Sequence, residues 1–214
     1  MSEIVETPAP LSPTRKRPKP GERRVQILQA LATMLEQPGA ERVTTAGLAA
    51  KLGVSEAALY RHFASKAQMF EGLIDFIETS VFALINHITG QEPGAAAPAI
   101  SSRQQADRLV MMLVQFAEKN PGMTRVMVGD ALVFENDRLQ QRMGQFFDKV
   151  EAALRQCLRG AALESGSQQP TADAQISAAV LTAFVQGRLQ RYARSGFKRL
   201  PSENLDACLA LIRA

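Results

Sequence analysis

The chain is poor in the residues from which most active sites and metal centres are built. Its 214 residues include two cysteines and two histidines. Cys157 and Cys208 stand far apart, without the C-x-x-C or Cys/His spacing of a zinc site. Both read as packing residues, kept reduced in a cytoplasmic setting. His62 and His87 have no cysteine or carboxylate at ligand spacing, and His87 reads as a surface or packed histidine. There is no G-x-x-x-x-G-K-[ST] phosphate loop, no G-x-G-x-x-G turn and no G-x-S-x-G elbow. Glu135 and Asp137, beside Arg138, read as a solvated, salt-bridged helix end. The expectation is a protein that is not an enzyme and carries no metal or cofactor. No apolar run approaches the roughly 18 residues of a membrane span, and the first 30 residues or so lack the apolar stretch of a secretory signal. A cytoplasmic protein without a membrane partner is therefore expected.

What is present is globular in composition, 46% hydrophobic and 21% charged, which excludes a fibrous or wholly disordered chain. The informative property is where the charge lies. Residues 1 to 66 hold 10 basic groups against 6 acidic ones, and the remainder is balanced. A neutral body joined to a basic head is the asymmetry expected when one end meets a polyanion, with nucleic acid the leading candidate. Arg15, Lys16, Arg17 and Lys19 stand among Pro8, Pro10, Pro13, Pro18 and Pro20. Residues 1 to 20 thus read as an extended, flexible basic tail, either a phosphate-seeking arm or a solvated tail without a role.

From Glu22 onward the pattern is helical. Val25, Leu28, Leu31 and Leu35 mark one face of a first helix, which Gln37-Pro38-Gly39 stops. Two short helices are expected at 45 to 52 and 55 to 62. A long one follows from Ser65, where Ser65 and Gln68 have capping-box spacing, with Phe70, Leu73, Ile77, Val81, Leu84 and Ile88 as its apolar residues. Gly90 to Ala99 reads as a loop. A helix through Leu109, Met112, Leu113 and Phe116 ends at Asn120-Pro121, where Asn can cap and Pro can take the first turn of the next helix. Two long periodic segments flank a connector at 165 to 170. The first carries Leu139, Met143, Phe146, Val150, Leu154, Cys157 and Leu158, and the second carries Ile176, Val180, Phe184, Val185, Leu189 and Tyr192. Paired with a second copy they would make a four-helix dimer interface, with Leu139, Met143, Phe146, Val150, Ile176, Val180, Phe184 and Leu189 in the seam; alternatively, both stripes face the chain's own core.

The stretch TTAGLAAKLGVSEAALYRHF, residues 44 to 63, places two short amphipathic helices around a turn at Gly53, which is helix-turn-helix grammar. Leu48, Leu52, Val54 and Leu59 would pack between the helices, and Phe63 would fill the space that His62 leaves. A helix in the major groove contacts base edges with its N-terminal side chains, here Ser55, Glu56 and Ala57. Glu accepts from cytosine N4, Ser bonds to several edges, and an Ala methyl touches a thymine methyl. Thr44 and Thr45 offer hydroxyls and N–H groups to phosphate, with Tyr60, His62 and Lys66 on the other side. Tyr60 also suits a half-buried hinge position, and Lys66 a solvated one.

The order of a first helix, this motif, and Tyr60, Phe63, Ser65 and Lys66 leading into a long helix resembles the TetR family of dimeric DNA-binding regulators, over about residues 21 to 80. Downstream, NPGMTRVMVGDALVFENDRLQQRM and QGRLQRYARSGFKRLP are similar to the nucleoid occlusion branch of that family. The resemblance implies an all-α fold: a DNA-binding domain over 21–66 and a helical dimerisation and partner-binding domain over 67–214. It further implies a nucleoid-associated homodimer, one or two dimers to a palindromic site on double-stranded DNA, that binds the tubulin-like division protein FtsZ and blocks septum formation. The FtsZ groove would involve Phe76, Met112, Gln115, Lys119 and Asn120. Phe76 also stands beside the main stripe of its helix, where an exposed aromatic would suggest a contact, though core packing suits it as well. The rival is a repressor whose effector lies in an apolar pocket formed by Met111, Met112, Met123, Met127 and Phe116.

Overall fold

The computed structural model describes residues 21–37, 43–91 and 100–213. The basic tail, the Pro38-Gly39 stop and most of the 90–99 loop lie outside the described residues. Within them the chain is all-α, with helices α1 (Glu22–Leu35), α2 (Thr45–Leu52), α3 (Glu56–Tyr60), α4 (Lys66–Thr89), α5 (Ser102–Lys119) and α6 (Pro121–Met127). A 3-10 turn at Asp130–Leu132 precedes α7 (Asp137–Glu164), α8 (Pro170–Arg194) and α9 (Leu205–Arg213). No helix among these residues is long and apolar enough to cross a membrane.

Helix starts follow from local chemistry. The Ser65 hydroxyl accepts from the Gln68 N–H at the start of α4, but the Gln68 amide oxygen reaches one residue further back than the expected box, to the Ala64 N–H. Pro121 does open α6, whereas Asn120 does not cap it. The Asn120 amide turns back and donates to the Phe116 carbonyl at the end of α5, at 2.8 Å.

The apolar stripes of α1 and α4 bury almost as expected, with two departures that the helical period explains. On α1 the buried face is Ile27, Leu31 and Leu35, and Val25 is left outside. On α4, Ile85 takes the inward position and Leu84 points out. Each pair of positions differs by about 100° or 200° around the helix, enough to move a residue across the boundary of the stripe.

The body is built on the hairpin of α7 and α8, which α5 joins and which α4 packs against. Here a group of expectations requires correction. Leu139, Met143, Phe146, Val150 and Leu189, assigned to a dimer seam, are each at most 3% exposed within the single chain. They are core, already covered by this chain's own helices, and no second copy can reach them. Phe146 is fully buried, with Phe82 of α4 and Phe147 edge-on at ring-centroid distances of 5.7 and 5.1 Å. Of the expected seam, Ile176 and Val180 of α8 are exposed and Phe184 is half-buried. Cys157 is buried, and desolvation pushes its thiol up to about 11, consistent with packing. Cys208 is half-buried, 3.0 Å from a guanidinium nitrogen of Arg188.

Head and body share one core. A methyl group on Gly122 of α6 would stand 1.9 Å from the Ala32 carbonyl oxygen of α1, so only glycine lets these helices touch. The expected division at residue 66 falls in the first turn of α4, and the two parts are joined by one uninterrupted helix. Arg142 of α7 grips α4 through Asp75 and Glu78, both at 2.5 Å, and Lys149 stands 3.6 Å from Glu78. Desolvation opposes the Arg142 charge, but the two carboxylates more than offset it and raise its pKa.

Because Phe146 is core, Phe146→Ala should cost about 3–5 kcal/mol of stability in chemical denaturation. Phe146→Asp should unfold the chain rather than release folded monomers, and a folded, soluble monomer would return this residue to an interface.

Candidate nucleic-acid interface

Residues 44 to 63 fold as two capped helices crossing at a tight turn. The Thr44 hydroxyl accepts from the Gly47 N–H at 3.1 Å and starts α2. Gly53 ends it with φ +63°, the left-handed conformation that favours glycine. The Gly53 and Val54 N–H groups close the turn on the Ala50 and Ala49 carbonyls. Ser55 then caps α3, accepting from the Ala58 N–H at 3.3 Å. Leu48, Ala49 and Leu59 are buried between the helices and Phe63 is buried below them, with Leu52 and Val54 half-buried at the rim. Helix α3 is shorter than the expected 55 to 62. Both the His62 and Phe63 N–H groups fold onto the Leu59 carbonyl, which swings Phe63 into the core.

These burials leave Ser55, Glu56, Ala57 and Tyr60 exposed on α3. Thr45 is drawn to the same place, its hydroxyl donating to a Glu56 carboxylate oxygen at 2.6 Å. That contact orients the carboxylate, which keeps lone pairs for a further donor. The Thr44 and Ser55 hydroxyls already accept cap bonds, so what they have left to offer a nucleic acid is a donated proton. His62 is half-buried and its carbonyl accepts from Arg24 at 2.5 Å, the same guanidinium lying 4.1 Å from the Phe63 ring centroid.

Lys66 stands apart from the other candidates. Its ammonium pairs with Glu135 at 2.5 Å, and that carboxylate is only 10% exposed. Glu135 is therefore a largely shielded, half-buried partner of the head and not the solvated end expected from its neighbours. Two cations that the apolar pattern did not single out, Lys51 at the end of α2 and Arg61 just after α3, are exposed and unpaired among the described residues. Their signal in the sequence was simple, since each is a basic residue of the motif that falls off its apolar positions.

The residues expected to meet FtsZ lie on α4 and α5, which pack together, and at Asn120 between α5 and α6. Phe76 is half exposed, Gln115 and Lys119 are exposed, and Met112 and Asn120 are half-buried. Of the five residues expected to make an apolar effector pocket, Met127 lines a cavity of about 480 Å³ between the 3-10 turn, α7 and α8, and the other four do not line it. Among the described residues no group of three or more His, Cys, Asp or Glu is placed to hold a metal ion.

Comparison with known proteins agrees with this geometry. Residues 27–73 match the model of bacterial regulatory proteins of the TetR family, and residues 103–214 match the tetracyclin repressor-like C-terminal domain of SlmA-like proteins. The nucleoid occlusion factor SlmA of Vibrio cholerae is 52% identical over 194 residues, covering 90% of this chain and 94% of its own. The chain belongs to the SlmA family of TetR-type regulators. The SlmA of Photobacterium profundum is similarly near, 50% identical over 193 residues, with 90% and 94% of the two chains covered. Among solved structures, the fatty acid degradation regulator FadR of Bacillus halodurans matches with a TM-score of 0.69 at 16% identity, over 91% of this chain and 96% of that one. A TetR-family regulator from Rhodococcus matches with a TM-score of 0.67 at 21% identity, over 90% and 98%. These structures share the fold, and the SlmA relatives share the sequence through both head and body. The helix-turn-helix of this SlmA-family chain is a DNA-binding element.

Arg61 and Glu56 should differ in what they do on DNA. Arg61→Ala should weaken all sequences alike and reduce the salt slope by about one, whereas Glu56→Ala should change the preferred base, as measured by anisotropy on single-base variants of a selected site. Equal, sequence-independent losses from both would remove this division.

Proposed function

We propose that this protein binds palindromic chromosomal sites as dimers, one or two to a site, and from there captures FtsZ and blocks septum formation over the nucleoid. It would accordingly act in the cytoplasm, on the nucleoid. The observation that carries the reading is that identity to nucleoid occlusion factors runs over about nine-tenths of the chain, body included. A shared head alone would support only DNA binding.

For DNA, the reading surface is Ser55, Glu56 and Ala57, held in position by Thr45, with phosphate contacts from Thr44, Tyr60 and the His62 region and from the newly identified Lys51 and Arg61. For FtsZ, Phe76 is the anchor. It is a large aromatic left half exposed on α4, and such residues dominate interfaces when a partner desolvates them. Gln115 and Lys119 supply polar contacts from α5. Asn120 acts more as a spacer, because its amide is committed to the Phe116 carbonyl.

For the dimer, the usable surface is the outer face of α8. Ile176 is 66% and Val180 46% exposed, and Ala179, Ala183 and Gly187 continue the face with small residues. The same face of a second copy would cover it, bringing two α8 helices close where the side chains are smallest. Val180→Asp should give folded monomers by analytical ultracentrifugation, with operator affinity reduced at least about tenfold. Dimers of unchanged affinity would place the interface elsewhere.

The function is tested by pelleting FtsZ polymers formed with GTP, in the presence of this protein, with and without DNA fragments it selects from the genome. Loss of pelletable polymer only with selected DNA is expected, and Phe76→Asp should abolish the loss while leaving DNA binding intact. Unaltered FtsZ polymers despite tight, palindrome-specific binding would replace this reading with a ligand-responsive repressor.

A further inference from the structure

Lys66 is the first residue of α4, where the exposed N–H groups and the helix dipole disfavour a cation. A lysine is stable there when a carboxylate is brought to it, and Glu135 is that carboxylate, at 2.5 Å. The support of Glu135 is rigid. Its own N–H donates to the Leu132 carbonyl at 3.0 Å, Gln140 donates to the same carbonyl, and Asn136 caps α7 immediately after it. The carboxylate therefore comes from the body, 69 positions along the chain, and meets the head at the exit of the recognition helix.

The difference in exposure decides what the pair does. The Lys66 side chain is 30% exposed and that of Glu135 only 10%. If Lys66 turned to a DNA phosphate, it would leave a nearly buried carboxylate without its cation, and removing one partner of such a pair is strongly unfavourable. Lys66 also lies 5.7 Å from the Phe70 ring, which holds its stem along α4. Between the end of α3 at Tyr60 and Lys66 there are only five residues, among them the buried Phe63, so fixing Lys66 fixes the angle at which α3 leaves the body.

We propose that Glu135 is a positioning residue for DNA reading, which holds the recognition helix in register through Lys66, and that Lys66 is a strut and not a phosphate contact. The proposal rests on the DNA-binding role of the head. It assigns a part in DNA affinity to a residue of the body that lies outside the helix-turn-helix.

The test is anisotropy of the full-length protein on a DNA fragment selected by the wild type, across a salt series. Lys66→Ala and Glu135→Gln should each weaken binding by about tenfold, and the double variant by no more than either single change. The slope of log affinity against log salt should be that of the wild type in all three. Exchanging the charges, Lys66→Glu with Glu135→Lys, should recover most of the loss, and this variant carries the test if Glu135→Gln does not fold. The proposal is overturned if Glu135→Gln binds more tightly, as it would by releasing Lys66 to a phosphate. It is also overturned if Lys66→Ala lowers the salt slope by about one, or if the exchanged pair stays as weak as the single variants. A wild type that selects no DNA at all would instead sink the DNA-binding role on which the proposal rests.

Discussion

Helix α4 is the constraint around which the rest of the structure is arranged. It begins directly below the helix-turn-helix and runs for 24 residues through the body. Its inner face, from Met69 and Phe70 to Ile85, is buried along the whole length. Burial of such a stripe supplies most of the drive to fold in a helical protein, and here the same stripe belongs to both parts of the molecule. Charges then fix what apolar packing leaves free to slide. Glu135 holds the first turn of α4 and Arg142 its third and fourth, both from the α7 side. The chain thus has a DNA-binding end and, in the proposed function, a partner-binding flank, with Lys66 and Phe76 ten positions apart on one helix.

This arrangement explains why a basic head can sit on a neutral body without a flexible joint. α1 closes over α4 and meets α6 at Gly122, where only a hydrogen atom fits beneath the Ala32 carbonyl. Tilting the head would open both contacts and the Lys66 pair together. Dimeric helix-turn-helix proteins read two half-sites at a fixed spacing, so the angle of each head decides what a dimer can read. Here several independent contacts hold that angle, which suits the proposed function, in which the DNA-bound form presents a surface to a partner.

Much of the fold was legible in the sequence because it is written in local terms. The helix-turn-helix followed from Gly53 and four apolar positions, and the structure adds the Thr44 and Ser55 caps that start its two helices. The stripes of α7 and α8 were equally clear, yet they were ambiguous in destination. Periodicity says that Leu139, Met143, Phe146 and Val150 share a face, and not whether that face meets α4 and α5 or a second chain. The structure resolves this through α4, whose Phe82 lies against Phe146. Glu135 was illegible for a related reason. Its partner is 69 residues away, and its neighbours Asp137 and Arg138 suggested a local pairing. Lys51 and Arg61 stand inside the motif but away from the N-terminal end of α3, where groove geometry places the base-reading residues.

The claim that head and body form one unit through α4 can be measured by amide hydrogen exchange, with and without a selected DNA fragment. DNA should slow exchange in α3, in the first turn of α4, and in the segment around Glu135 that supports Lys66, although that segment lies outside the helix-turn-helix. Slowing confined to α2 and α3, with α4 and the Glu135 segment unchanged, would contradict the account and leave the head as an independent module on a passive body.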